Sequence, residues 1–83
     1  MNEENRSDAS HQQTYETPDL HLASFLRCCH FDIVELKRKA SRTIFVFHDS
    51  PELHRAILDY ANDGVVPVRT FCNTLRDLRA ITR

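Results

Sequence analysis

Of the eight cysteines and histidines in this 83-residue sequence, Cys28, Cys29, His30, His48, His54 and Cys72 are the candidate ligands for a transition metal. Structural zinc sites draw on close pairs such as Cys-x2-Cys, and no such pair occurs here. Cys28 and Cys29 are adjacent, so on a helix they point about 100° apart and only one of them can face a core. The set is read as core thiols and surface histidines, and no metal or cofactor is expected. Nucleophilic chemistry has no firmer footing. Ser, Cys, His and Asp all occur, but none stands in a recognisable elbow or beside a spaced base. Ser50 precedes Pro51 and Glu52, which makes it a helix cap. A phosphate-cradling loop needs several glycines, and Gly64 is the only one. An enzyme is not expected.

The remaining chemistry is basic. At about 100° per residue, Arg69, Arg76, Arg79 and Arg83 fall within about 80° of one another on a C-terminal helix. Lys37, Arg38, Lys39 and Arg42 form a second cluster at a hairpin tip. A row of guanidinium groups can grip phosphates or an acidic partner. Against nucleic acid, Asp77 interrupts the row and no aromatic residues interleave for base stacking. Arginines near a helix C-terminus are also favoured by the dipole alone. Residues 1–18 hold Glu3, Glu4, Asp8 and Glu16 against Arg6, a net of −3, and the rest of the chain has a net of only +2. That excess is small for a DNA-binding domain.

The elements that must position these residues are organised around Arg42-Thr43-Ile44-Phe45-Val46-Phe47-His48. Its β-branched and aromatic residues fit a pleated surface, and apolar side chains on both faces predict an interior strand covered on both sides. Ser50, Pro51 and Glu52 then supply a cap, a first-turn proline and an acid at the positive end of the dipole. The helix that follows, to about Asn62, places Leu53, Ala56, Ile57, Tyr60 and Ala61 on one face. Gly64 is expected to end it in the left-handed conformation. Thr17-Pro18-Asp19 repeats the start signal, giving a helix from about Pro18 to Cys28 with Leu22, Phe25, Leu26 and Cys29 inward and Leu20 and Ala23 at the margin. Phe31 to Lys39 reads as a strand joined to the central one through Ala40-Ser41, a weak pair for a tight turn. A last helix, about Pro67 to Ile81, is expected to bury Val68, Phe71, Cys72, Leu75 and Leu78.

Residues 1–16 are polar and acidic and read as a disordered tail. Residues 17–83 form one α+β domain of order αββαα, a two-stranded hairpin packed by three helices. No stretch is long enough to span a bilayer and no signal peptide is visible, so the expectation is a cytoplasmic protein without membrane attachment. The odd count of three cysteines does not make a disulfide framework.

This pattern resembles a small bacterial domain family of unknown function. The marks are the helix Leu22-Ala23-Ser24-Phe25-Leu26, the Phe45-Val46-Phe47 strand, the acidic-Pro-Glu helix start, the Asp59-Tyr60-Ala61-Asn62 helix end, and the closing helix with Phe71, Leu75 and Leu78. The resemblance spans about residues 19–80 and implies no activity. Where glycines are expected, the chain has Cys29-His30 and Ala40-Ser41. A chain this short buries only roughly 60% of its unfolded surface, so a partner adds stability. The resulting expectation is a non-catalytic interaction module with a regulatory or accessory role, pairing with another protein or as a homodimer that extends the sheet to four strands. The alternative is a nucleic-acid binder using the arginine row.

Overall fold

Arg42–His48 is the middle strand of a three-stranded antiparallel sheet. The computed structural model describes residues 13–82. The chain runs β1 (Thr14–Thr17), α1 (Leu20–Cys28), β2 (Ile33–Lys39), β3 (Arg42–His48), α2 (Pro51–Ala61) and α3 (Val68–Ile81), with strand order β1-β3-β2. The α+β class stands, with one strand more than the sequence predicts. Thr14, Tyr15 and Thr17 are good strand formers, and β3 has a second edge whose N–H and C=O groups need partners. β1 supplies them, with Tyr15 opposite Phe47 and Thr17 opposite Phe45. Residues 13–16 therefore belong to the domain and not to the tail assigned to 1–16. The rest of that tail, residues 1–12, lies outside the described residues.

Phe45 and Phe47 point toward the helices and are 2% and 1% exposed. They pack with Leu22, Ala23, Phe25 and Leu26 of α1, Leu53 and Ala56 of α2, and Leu78 of α3. Each such phenylalanine contributes roughly 1.5–3 kcal/mol by leaving water. Val46 is 1% exposed yet stands outside that cluster, on the face the helices leave free. Its cross-strand neighbours there are Glu16 and Glu35. The Lys37 ammonium reaches the Glu16 carboxylate at 2.6 Å. Because β1 and β2 flank β3, that ion pair bridges over the central strand. The strand is sheltered on both sides as its composition predicts, by helices on one and a charged bridge on the other.

The helix ends correct several details. α1 is capped by Asp19, whose Oδ1 accepts the N–H groups of His21 and Leu22 at 2.9 and 3.1 Å. Thr17, the expected cap, ends β1 and accepts the Asp19 N–H instead. α1 ends in a Schellman turn, with His30 N–H donating to Arg27 C=O and Phe31 N–H to Leu26 C=O. His30 takes the left-handed position there at φ 73°. The hairpin turn is two residues, with only Ala40 at positive φ (58°), the sign pattern of type II′. Ser50 caps α2 by accepting the Leu53 N–H at 3.0 Å, as expected. After α2 it is Asp63, not Gly64, that adopts positive φ (62°). Gly64 is needed for space, since a Cβ there would stand 2.8 Å from the Asp59 carbonyl oxygen and 3.0 Å from Phe25 Cζ. In α3, Leu78 is buried and Phe71 and Leu75 are half-buried, but Val68 and Cys72 are exposed, against expectation. In α1, Ala23 is fully enclosed although it was expected at the margin, whereas Cys29, expected inward at the helix end, is only half-buried.

Candidate functional site

The basic residues singled out in the sequence do not form one surface. Strand alternation sends Lys37 and Arg38 to opposite faces of the sheet. Lys37 is engaged by Glu16; that hydrogen bond holds the Glu16 carboxyl below its usual range and raises the Lys37 ammonium above its own. Arg38 turns to the helix side, where Nη1 donates to Thr43 Oγ1 at 2.7 Å and to the Thr82 carbonyl at 3.4 Å. It thereby ties the hairpin to the end of α3. Lys39 and Arg42 face each other beside the turn. Arg69, Arg76 and Arg79 are exposed along α3, and Arg83 lies outside the described residues. Arg76 donates to Asn73 Oδ1 at 3.2 Å, and neither Arg69 nor Arg79 meets a carboxylate among the described residues.

Among the described residues two surfaces stand open. The first is β2, which among those residues is hydrogen-bonded on one side only, to β3. Every residue of β2 after Ile33 is exposed, including Val34 at 42% and Leu36 at 43%. Leu36 pairs with Phe45 and so sits on the helix side, where it and the exposed Ile81 help line a groove of about 310 Å³ with Lys37, Arg38 and Thr43. A register shift between Ile33 and Glu35 bends the start of the strand. Glu35 lies on the helix-free face opposite Val46 and meets no cation among the described residues. The second surface is the flank of α3 with Val68 (75% exposed), Cys72 and the three arginines, next to Val65 (94% exposed).

A third feature joins β1 to α2. His54 Nε2 stands 2.5 Å from Asp49 Oδ1, an oxygen closed to solvent that has no well-aligned hydrogen bond. Tyr15 packs edge-on against the His54 ring, with centroids 6.1 Å apart. The Asp49 N–H donates to the Gln13 carbonyl at 3.2 Å, which carries the β1–β3 ladder one step further. A cleft of about 390 Å³ lies beside them, lined also by Ser50 and Pro51. Ser50 Oγ is engaged as the α2 cap, and the arrangement fastens the strand to the helix. Among the described residues no three His, Cys, Asp or Glu side chains come together. The Cys29 thiol is raised, first by burial and then by Cys28 and Asp59, away from the reactive thiolate form. No helix of the described residues is long and apolar enough to cross a membrane.

Sequence reasoning passed over Glu16, Glu35 and Tyr15. Glu16 and Tyr15 lie inside the segment read as a tail, where Thr14-Tyr15 was the available strand signal. Glu35 gains meaning only once β2 is known to be an edge.

No curated protein and no solved structure matches the chain. The family model of a domain of unknown function, DUF5659, aligns with residues 12–83, which take in both open surfaces and the whole core, and the chain belongs to that family.

Proposed function

We propose that the domain is a non-catalytic interaction module, regulatory or accessory in role, that pairs with a second copy of itself along β2. The expected partner strand beside β3 is supplied by the chain's own β1, which leaves the outer edges of β1 and β2 for a copy, and of these β2 is the longer, with seven residues against four. The observation that carries this reading is the charge pattern of that edge. Antiparallel pairing about a twofold axis at Leu36 sets Leu36 against Leu36, Glu35 against Lys37 and Lys37 against Glu35. Opposite charges directly across a strand pair are favourable and like charges are not. Moving the axis to Glu35 or to Lys37 would oppose identical charges at its centre. Lys37, Arg38 and Lys39 otherwise guard an open edge against indiscriminate pairing, and Glu35 makes the guard selective. The groove floored by Leu36 and Ile81 lies along the same seam. One strand pair is a small interface, so the dimer belongs to the weak class that forms at micromolar concentration. We place it in the reducing cytoplasm, in keeping with Cys28, Cys29 and Cys72 all being free.

Sedimentation across micromolar concentrations tests this. The wild-type chain is expected to associate, and Glu35→Lys and Lys37→Glu are each expected to be monomeric. Mixing the two variants restores both charge pairs and should restore the dimer. A wild-type chain that stays monomeric throughout, or a mixture that fails to associate, overturns the reading.

A further inference from the structure

We infer that the uncovered flank of α3 docks an amphipathic helix of another protein that carries acidic residues beside its apolar stripe. The observation is independent of β2. Val68, Cys72, Leu75 and Arg79 are spaced four, three and four residues apart, the interval of a two-helix seam. Val68 and Cys72 lie about 60–100° round the helix from Phe71, which marks the side turned to the core. Val68 is 75% exposed and Cys72 is exposed, and Leu75 is half-buried between the core and the seam. Arg69 and Arg76 each follow a seam residue directly, at the flanking position whose charge selects the partner in paired helices. Asp77 points to the other side of the helix, about 100° beyond Arg76.

The charges exclude a second copy as the occupant. Antiparallel pairing of two α3 helices would set Arg69 and Arg76 against their own counterparts. Parallel pairing would set Arg76 against Phe71, which is turned into the core, and Arg69 against the loop before the partner helix, so neither meets an acid. A helix with glutamate or aspartate at the flanking positions satisfies both arginines and covers Val68 and Cys72. The same apolar residues argue against nucleic acid, whose interfaces are polar and whose phosphates give Val65 and Val68 nothing to pack on.

Fluorescence anisotropy with three probes tests the inference on the intact chain: a helical peptide with leucine on one face and glutamate on the other, the same peptide with lysine replacing glutamate, and duplex DNA. The Leu/Glu peptide should bind, and its affinity should fall with added salt. Val68→Asp and Arg76→Glu should each weaken it about tenfold; both side chains are exposed, and circular dichroism should confirm that both variants keep the fold. The Leu/Lys peptide and DNA should not bind. Equal binding of both peptides, no binding of the Leu/Glu peptide, or binding of DNA alone overturns the proposal. So does a shift of Val68→Asp from dimer to monomer in sedimentation, which would hand the flank to a second copy.

Discussion

At Gly64 the backbone N–H donates to the Asp59 carbonyl at 2.6 Å, folding the chain back against the last turn of α2. The approach leaves 2.8 Å between a would-be Cβ and that carbonyl oxygen, with Phe25 closing the other side. Gly64→Ala is therefore expected to cost about 1–3 kcal/mol, as overpacked sites do, and a urea titration would show it. A loss within a few tenths would mean the loop gives way freely. Ala40 is the opposite case. A left-handed backbone costs an L-residue about 1–2 kcal/mol, part of which glycine returns as unfolded-state entropy, so Ala40→Gly should stabilise by up to about 1 kcal/mol. Both positions were marked in the sequence, Ala40 as part of a turn where glycine is expected and Gly64 for a reason other than space. A lone glycine after a helix suggests a left-handed stop, and a two-body clash with Phe25 leaves no local trace. Thiol labelling reads the same environment in the cysteines: exposed Cys72 should react first and Cys29, raised by burial, last.

At the scale of elements, what was legible followed local rules. The β3 strand, the Ser50–Pro51 start of α2 and most of the inward faces of α1 and α2 rest on residue type and period and stand where the sequence put them; Ala61, expected on the α2 face, is exposed at the helix end. The last helix shows the limit of that logic. Its apolar stripe is real, but period says only which side is apolar, not whether another element covers it, and Val68 and Cys72 are left outside. β1 was missed because four residues in a polar segment carry too little signal; they are a strand because β3 offers an open ladder. The α1 start moved from Thr17 to Asp19 for a related reason, since Thr17 is engaged by β1 while the Asp19 carboxylate accepts two amides at once. Asp19→Ala should cost about 0.5–2 kcal/mol in thermal or chemical unfolding. A loss no larger than that of Thr17→Ala would return the cap to Thr17.

For the whole molecule, the Glu16–Lys37 bridge joins the two outer strands across the face opposite the described helices, and its charge state makes the sheet sensitive to pH. Lys37 holds the Glu16 carboxyl below its ordinary value of 4.5, so its stabilisation is present above that value and disappears as pH falls through the lowered one. Glu16 raises the Lys37 ammonium above its ordinary 10.5, so that half of the linkage is complete below 10.5 and disappears as pH rises through the raised value. Both partners are open to solvent, so the effect is modest and screened by salt. Glu16→Gln should accordingly melt below the wild type at neutral pH and together with it in strong acid. A constant difference across the range would mean the bridge acts only by covering Val46, with its charge irrelevant. Where Glu35→Lys is expected to change association and leave the Glu16 contact intact, Glu16→Gln is expected to change stability and leave the Glu35–Lys37 pairing between copies intact. Comparing the two variants separates the charge that holds the sheet together from the charge that selects its partner.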